Sequence, residues 1–262
     1  MNQPARMPVA FFGHGSPMNT LESNRHTQAW RALGASLPRP RAILCVSAHW
    51  TMAGTAVTAM QSPPTIHDFF GFPQALFDVA YPAPGDPALA ARVRELLAPF
   101  DVQMGQSWGL DHGTWSVLAH VYPHADIPVV QLAIDAGRPA AYHYEIGQRL
   151  RVLRDEGVLI IGSGDVVHNL RTVRWGDDAA PYDWATRFND RARAYIASGD
   201  HAPLVAYEQL GEDARLSIPT AEHFLTLLYV LGAQAPGDVV SFPTDGVELG
   251  SISMLTCVIG PQ

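Results

Sequence analysis

Lysine is absent from this 262-residue chain, and cysteine occurs only twice, at Cys45 and Cys257. The 17 basic residues are scattered, and the formal net charge is -8. An acidic surface without a basic cluster repels a phosphate backbone. No apolar run reaches the roughly 18 to 20 residues that are needed to cross a bilayer. We therefore expect binding to neither nucleic acid nor membranes.

Other absences concern targeting and redox chemistry. Residues 1–6 contain no apolar stretch typical of a signal peptide, so we expect a cytoplasmic protein. Both cysteines lie in apolar, strand-like runs, where a free thiol behaves as a small hydrophobic side chain. A disulfide is disfavoured in a reducing compartment, and a catalytic thiolate needs an electropositive, partly open setting. We predict a structural role for both cysteines.

Apolar runs that lead into glycine, serine or histidine alternate with helical stretches along the chain. Strand-like runs occupy residues 9–12, 42–46, 127–134 and 158–161. Because polar and apolar residues do not alternate within them, these runs are typical of strands buried on both faces of a mostly parallel sheet. No linker or repeat is evident. The sequence predicts a single α/β domain over residues 1–262, with a central mixed, mostly parallel sheet flanked by helices.

The helices are predicted from their end signals. Asp86 is expected to cap a helix over 88–97. A second helix is predicted over 139–154. A third is predicted at 184–197, stopped by Gly199.

Thr220 is the predicted cap of the last helix, whose body over 224–231 is almost wholly apolar and therefore packed inside. The irregular segments 61–84 and 175–183 are long enough to be lids or binding loops.

Histidines recur at one position relative to the predicted strands. His14, His49 and His168 each follow an apolar run, and ligands of open α/β sheets bind beyond the carboxyl ends of the strands. His223 lies instead in the first turn of the buried last helix, where a polar ring needs a partner. Each alone is compatible with a hydrogen-bonded structural histidine. Together, converging neutral imidazoles suit Zn(II), Fe(II) or another transition metal.

Two further histidines leave two interpretations open. His112 lies at an expected loop-to-helix junction. In a structural interpretation, Asp111 or Thr114 caps the helix there. In a functional one, His112 lies over the metal and donates to developing charge on an oxygen. His67 lies in the 61–84 loop beside aromatic rings that either stack on a planar substrate or anchor the loop. We predict surface-like positions without a role for the remaining histidines, which are His26, His120, His124, His143 and His201.

Other catalytic signatures are weak. Asp68, Asp111 and Asp165 lie near the histidines but lack a distinctive spacing for paired-carboxylate catalysis. The glycine-rich segment 162–164 is not followed by the lysine of a phosphate-binding loop. Ser16 is not centred between glycines as the serine of a nucleophile elbow would be.

Six short motifs occur in the order seen in one enzyme family. They are Gly13-His14-Gly15-Ser16-Pro17, Ser47-Ala48-His49-Trp50, Pro64-Thr65-Ile66-His67-Asp68-Phe69, Asp111-His112-Gly113-Thr114-Trp115, Gly164-Asp165-Val166-Val167-His168-Asn169-Leu170 and Glu222-His223-Phe224. Through them the chain resembles the DOPA 4,5-dioxygenase branch of the class III extradiol dioxygenases, which is similar to the β-subunit of protocatechuate 4,5-dioxygenase. The resemblance extends over nearly the whole chain.

The resemblance implies a role for each matching histidine. His14, His49 and His223 match the metal ligands, and His168 matches the acid/base, with a position that would also suit a fourth ligand. His112 matches the residue that contacts the substrate or bound dioxygen. The implied reaction opens the ring of a catechol, DOPA-like or related, with O₂ to give a semialdehyde acid.

The third ligand position departs from the common iron site. That site has two histidines and one carboxylate, whereas here it is His223, preceded by Glu222. Three imidazoles are a familiar zinc arrangement. The resemblance therefore implies Fe(II) for ring cleavage, while Zn(II) is a metal that would be found bound.

Two other function classes fit the same histidines. A zinc hydrolase would attack an amide or ester with metal-bound water and would consume no O₂. A non-catalytic metal- or aromatic-binding protein would keep its ligand when His168 is replaced. For the dioxygenase, the expected partners are a small aromatic diol and O₂, and the expected assembly is a monomer or a small homo-oligomer.

Overall fold

The computed structural model describes residues 6–176 and 179–261 of the chain. Within these ranges an eight-stranded sheet forms the centre of the fold, and a two-stranded ribbon lies beside it. The strands are β1 (Val9–Gly13), β2 (Ala42–Met52), β3 (Thr55–Thr58), β4 (Val102–Gly105), β5 (Val129–Asp135), β6 (Val158–Gly164), β7 (Val239–Thr244), β8 (Val247–Glu248), β9 (Ile252–Ser253) and β10 (Thr256–Gly260).

The large sheet is mixed, with the order β4-β3-β5-β2-β6-β1-β10-β7. Strands β5, β2, β6 and β1 pair in parallel at its centre, and β4 pairs in parallel with β3 at one edge. Antiparallel pairs join β3 to β5, β1 to β10 and β10 to β7. The predicted α/β class with a mixed, mostly parallel sheet is confirmed. The expectation of one domain over residues 1–262 stays a prediction.

The central strands overlap the four predicted runs, but each ends later than predicted: β1 and β5 by one residue, and β2 and β6 by more. Strand β2 continues through His49 to Met52, and its register against β5 shifts between Val46 and Thr51. Strand β6 includes the glycine-rich segment 162–164 that was expected to follow it. The edge of the sheet that bears the histidines is therefore built by strand residues as well as by loops.

Helices cover both faces of the sheet. In the described ranges the α-helices are α1 (Arg25–Ser36), α2 (Gln74–Phe77), α3 (Pro87–Leu96), α4 (His112–Val121), α5 (Ala140–Leu150), α6 (Asp183–Ser198), α7 (Ala202–Val205), α8 (Glu212–Ser217) and α9 (Glu222–Gly232). Short 3-10 helices span Pro17–Thr20, Arg151–Arg154, Leu170–Thr172 and Tyr207–Gln209. None of these described helices combines the length and the apolar character that a membrane span requires.

Most of the predicted helix ends are confirmed. Asp86 caps α3 by accepting the N–H of Leu89, and α6 ends at Gly199, whose φ is +70°. The helix predicted over 139–154 ends at Leu150, because the last turn tightens into a 3-10 helix.

The predicted Thr220 cap is wrong. Ala221 occupies the N-cap position of α9 and makes no side-chain cap. The hydroxyl of Thr220 instead donates to Glu222 Oε1 at 2.8 Å.

The core lies in two layers, one on each face of the sheet. Helices α3, α5, α6 and α9 contribute to one layer, and α1 and α4 contribute to the other. The residues 223–232 of α9 are all buried, as predicted for a helix with an apolar body. Full burial of a large aliphatic or aromatic side chain stabilises a fold by about 1.5–3 kcal/mol, so this helix is fixed firmly against the sheet.

Both cysteines belong to this core. Cys45 and Cys257 are buried and free, and burial raises the pKa of each thiol to about 12. The expectation that neither forms a disulfide is confirmed. The expectation of no signal peptide concerns mainly residues 1–5, which lie outside the described residues. The predicted 175–183 loop includes residues 177–178, which lie outside them as well.

Candidate metal centre

Three histidine rings from distant parts of the chain meet at the carboxyl edge of the central strands. His14 follows β1, His49 lies within β2, and His223 lies in the first turn of α9. Their ring centroids are 5.1, 5.2 and 5.3 Å apart in the three pairs, which makes a nearly equilateral triangle. The structure thus brings together the three residues that were predicted as metal ligands.

The neighbours of His14 determine which ring nitrogen carries the proton. Its Nδ1 lies 3.0 Å from Ser163 Oγ. That hydroxyl donates its own proton to the carbonyl oxygen of Gly113, so it can only accept from His14. A neutral imidazole that donates through Nδ1 keeps its lone pair on Nε2.

Carboxylates impose the same arrangement on the other two rings. His49 Nδ1 lies 3.2 Å from Asp68 Oδ2, and His223 Nδ1 lies 3.1 Å from Glu222 Oε1. An ionised carboxylate is an acceptor only, so each favours a proton on the facing Nδ1. A proton on Nδ1 leaves the Nε2 lone pair of each ring free. The ligand atoms of His14 and His49 lie within 4.8 Å of one another together with that of His112, and those of His14 and His223 do so together with that of Asp165.

Such a set of lone pairs fits a cation. The Nε2 atoms of His14 and His49 are 3.3 Å apart, and His223 Nε2 is buried without a hydrogen-bond partner among the described residues. Burial and then the neighbouring histidines lower the pKa of His14 and of His223 well below the usual range. The rings are thus neutral at physiological pH, which is the form that binds Zn(II) or Fe(II).

A buried carboxylate lies beside the triangle. Asp165 Oδ2 is 3.7 Å from His14 Nε2 and has no hydrogen-bond partner in the described part of the chain. Its Oδ1 accepts the backbone N–H of Gly15 at 3.1 Å. Burial raises the pKa of Asp165 well above its ordinary value. Asp165, His14 and His223 are close enough together to share one ion.

His168 lies flat against one corner of the triangle. Its ring stacks on that of His223 with centroids 3.5 Å apart and an interplanar angle of 12°. The strand-like pairing of His168 with Ile252 fixes its backbone. Burial lowers the pKa of His168 to about 4, although the charge of Glu222 opposes the shift. A neutral ring at this position is able to accept a proton.

His112 stands over a second corner. Its ring centroid is 3.8 Å from that of His49 and 5.8 Å from that of His14. Asp68 contacts it twice: Oδ1 accepts the His112 backbone N–H at 2.9 Å, and Oδ2 lies 2.9 Å from Nδ1 without the alignment of a hydrogen bond. Burial would raise the pKa of Asp68, but the contacts with His112 and His49 lower it overall. Asp68 therefore remains a carboxylate.

Both interpretations of the His112 segment are compatible with the structure. Asp111 caps α4 by accepting the N–H of Thr114, while His112 at the first helical position faces the triangle. Asp111 is fully buried and also accepts from Ser47 and Gln131. These bonds tie the start of α4 to β2 and β5.

A cavity of about 820 Å³ opens above the histidines. His14, His49, His112, His168 and His223 lie among the residues that line it. Phe69, Phe70 and Phe72 of the 61–84 loop form one wall. Five imidazoles and three phenylalanine side chains thus border one cavity.

His67 does not line this cavity in the part of the chain that the structure describes. Its Nε2 lies 2.9 Å from the carbonyl oxygen of Val79, and its ring packs against Phe77 and Trp115. These contacts favour the interpretation of His67 as a loop anchor, and its role as a substrate contact stays a prediction that they do not support.

The expectation of surface-like positions for the other histidines is wrong in most cases. His124 is exposed, but four are buried, each with a hydrogen-bond partner: His26, His120, His143 and His201. Helical stretches with many polar residues suggested a surface location, yet these rings lie on the buried faces of their elements or at their ends.

The sequence did not predict which residues contact the histidine rings. Asp68 and Asp165 were considered only for paired-carboxylate catalysis, and Ser163 only as part of the glycine-rich segment 162–164. The available signal was their place in or next to the motifs: Asp68 follows His67, and Ser163 and Asp165 precede His168 by five and three residues. Hydrogen-bonding partners of metal-binding histidines are commonly carboxylates or carbonyl groups.

Comparison with known proteins identifies the class. Residues 12–257 match the family model described as the catalytic LigB subunit of aromatic ring-opening dioxygenase. The chain belongs to this family and is therefore an enzyme of the aromatic ring-opening dioxygenase class.

Individual relatives are similar along most of their length. The chain is 56% identical over 259 residues to the 4,5-DOPA dioxygenase extradiol of Escherichia coli K12, covering 97% of this chain and 95% of the relative. It is 38% identical to the protein of the same name from Beta vulgaris, with 85% of each covered. A crystal structure of an uncharacterized Escherichia coli K12 protein superposes with a TM-score of 0.86 at 50% identity, covering 97% of this chain and 100% of that one.

Proposed function

We propose that this chain opens the ring of a catechol with O₂, next to the diol, at a metal ion held by His14, His49 and His223. The observation that carries the proposal is the triangle of three neutral imidazole rings at the floor of an aromatic-lined cavity. The names of the relatives, which are extradiol DOPA dioxygenases, support DOPA or a related catechol as the substrate. Ring opening next to the diol of such a catechol gives a semialdehyde acid.

The metal that supports ring opening is Fe(II), while Zn(II) fits the same three imidazoles without redox activity. When bound, Fe(II) supplies a positive centre that organises the diol and O₂ and exchanges electrons with them. Asp165 is a candidate for a further ligand, because its unpartnered Oδ2 is buried 3.7 Å from His14 Nε2. His168 is another, because its ligand atom lies within 4.8 Å of those of Glu222 and His223.

His168 is the proposed acid/base. It lines the cavity, it is neutral because burial lowers its pKa to about 4, and it can therefore take the proton that a diol hydroxyl releases on binding. Returning that proton to an oxygen of the opening ring completes the cycle. Acid–base steps of this kind contribute roughly a hundred- to ten-thousandfold to a rate.

His112 is the proposed donor to developing oxygen charge. Asp68 Oδ2 lies 2.9 Å from its Nδ1, and an imidazole that carries a proton on Nε2 can donate it to an oxygen in the cavity. A positioned donor in a water-poor cavity stabilises charge that appears only in the transition state. Phe69 packs on His112 with centroids 5.5 Å apart and helps to exclude water from this side.

The test is anaerobic loading with Fe(II), followed by DOPA and air, with O₂ uptake and a yellow product as readouts. We expect both in the unmodified protein and a loss of at least about a hundredfold in turnover for His168→Ala. The exposed His124→Ala is the matched control and should leave turnover unchanged. Metal analysis of His49→Ala should reveal reduced metal content.

The proposal fails if the iron-loaded protein consumes no O₂ with DOPA, caffeate or protocatechuate. Ester or amide hydrolysis without O₂ uptake would instead favour the hypothesis of a zinc hydrolase. Unchanged turnover in His168→Ala would remove that residue from the mechanism while leaving the metal centre in place.

A further inference from the structure

The cavity above the histidines is larger than a single catechol ring requires. Its volume of about 820 Å³ lies toward the upper end of the range of roughly 300–1,000 Å³ found for pockets that enclose ligands of drug size. A diol held at the histidine floor would leave the outer part of the cavity to be filled by something else. That part is lined by residues outside the proposed machinery.

The outer part carries an exposed apolar rim. Phe70, Trp175 and Leu170 are 91%, 84% and 66% exposed, which makes them the three most exposed large apolar side chains in the described ranges. All three line the same cavity, from the 61–84 loop on one side and from the segment after His168 on the other. Clustered exposure of this kind marks a ligand surface rather than a random distribution.

One cation faces into this rim. Arg171 lines the cavity, and the other charged residue there among those described is Glu222. Glu222 is already engaged, because its Oε1 accepts from Thr220 and contacts His223 Nδ1. Arg171 thus offers the free charge of the pocket, in a chain whose net charge is -8.

The guanidinium of Arg171 has no side-chain partner within residues 6–176 and 179–261. Among the residues that the structure describes, Arg94 and Arg171 are the two arginines without a side-chain hydrogen bond, ion pair or aromatic contact. Arg94 is exposed on α3, far along the chain from the histidines. Arg171 is exposed too, but it lines the cavity above the histidines.

The backbone that carries Arg171 is fixed in place. Its N–H donates to the side chain of Asn169, which is 5% exposed. Asn169 in turn donates to the carbonyl oxygen of Leu216 and accepts the hydroxyl of Ser251. The guanidinium therefore extends from a rigid support three residues after His168.

We infer that the outer cavity is a binding site for a side arm of the substrate, with Arg171 pairing a carboxylate on that arm. The inference rests on the proposed ring-opening function and names the residue that would hold the arm of its substrate. A planar guanidinium matches a carboxylate with two parallel hydrogen bonds. The apolar rim takes the carbon chain between ring and carboxylate.

The experiment compares two substrates and two variants. Dihydrocaffeate and its primary amide share a diol and an arm but differ in charge. We expect Arg171→Gln to lower kcat/KM for the acid by about 3- to 10-fold, since the pair is partly exposed, and to leave the amide unchanged. Arg94→Gln removes the same charge elsewhere and should change neither substrate. The preference for the acid should weaken in high salt.

A second readout does not depend on turnover. Anaerobic calorimetric titration of the metal-loaded protein with the acid and with the amide should give a dissociation constant that Arg171→Gln raises for the acid alone. Equal effects on both ligands, or no effect on either, would overturn the inference.

The two readouts distinguish the inference from the function on which it rests. Selective loss of acid binding in Arg171→Gln without any O₂ uptake in air would contradict the proposed function and support the arm site. Ring opening that does not depend on Arg171 would support the proposed function and contradict the arm site.

Discussion

Proton placement on the histidine rings is decided by atoms that are not themselves proposed ligands. Asp68 is the clearest case, because one carboxylate contacts the Nδ1 atoms of both His49 and His112 and also accepts the His112 backbone N–H. It therefore links a proposed metal ligand to a proposed donor above it. Partners of this kind orient the ring and raise the basicity of the nitrogen that binds the metal.

Replacing Asp68 with Asn should weaken the metal centre without removing a ligand. An amide carries no charge to favour the Nδ1 proton of His49, so we expect metal affinity to fall by about 10- to 100-fold. The measurement is competition for Zn(II) against a chromophoric chelator. Asp78→Asn, an exposed position in the same loop, is the control and should bind as the unmodified protein does. An unchanged affinity in Asp68→Asn would contradict the orienting role.

At the scale of elements, the metal centre depends on how closely β6 approaches α9. A Cβ on Gly164 would collide with the carbonyl oxygen of His223, and a Cβ on Gly162 would lie 2.5 Å from the carbonyl oxygen of Thr226. The His223 carbonyl also accepts the N–H of Asp165 at 3.2 Å. Glycines at the end of β6 allow the backbone of α9 to approach the strand closely, and this approach places His223 in the triangle.

Gly164→Ala should therefore separate strand from helix at the site. Overpacking of this kind costs about 1–3 kcal/mol of unfolding free energy, and we expect a loss of metal content beyond what the stability change explains. Urea unfolding and metal analysis measure the two effects. Gly137→Ala is a suitable control, because its Cβ would meet its nearest neighbour at 3.4 Å. Normal metal content in a folded Gly164→Ala protein would argue against this account.

For the whole molecule, one buried arginine joins the edges of the fold opposite the histidines. Arg154 is fully buried and donates to the carbonyl oxygens of Met7 and Ala233, near the start of β1 and the end of α9. It also pairs with Asp238 at 2.6 Å. The same two elements carry His14 and His223 at their other ends, so this contact helps to fix their relative position.

Arg154→Met should leave Asp238 as an uncompensated buried charge and cost about 3–5 kcal/mol of unfolding free energy. Urea unfolding measures the loss. Adding Asp238→Leu should restore part of it, because no charge is then left unpaired. Arg39→Leu breaks an exposed pair with Asp126 and should change stability little. A double variant no more stable than Arg154→Met would show that the buried charge is not the cause.

The sequence predicted the central strands and most helix ends because local residue patterns determine them. Unalternated apolar runs located β1, β2, β5 and β6, since strands buried on both faces have no polar face to show. Asp86 and Gly199 marked helix ends through local backbone chemistry. The prediction of Thr220 as a helix cap failed because the N-cap position depends on the residue at which the helix begins, and packing determines that residue.

The candidate site divides in the same way. The sequence by itself determined the class of enzyme, through short motifs that hold His14, His49 and His223, and it determined that these rings follow or belong to central elements. Only the tertiary structure decided which nitrogens face one another, that Asp68 bridges two rings, and that Arg171 faces the cavity unpaired. Those properties depend on atoms brought together from distant parts of the chain, and local patterns contain no information about such encounters.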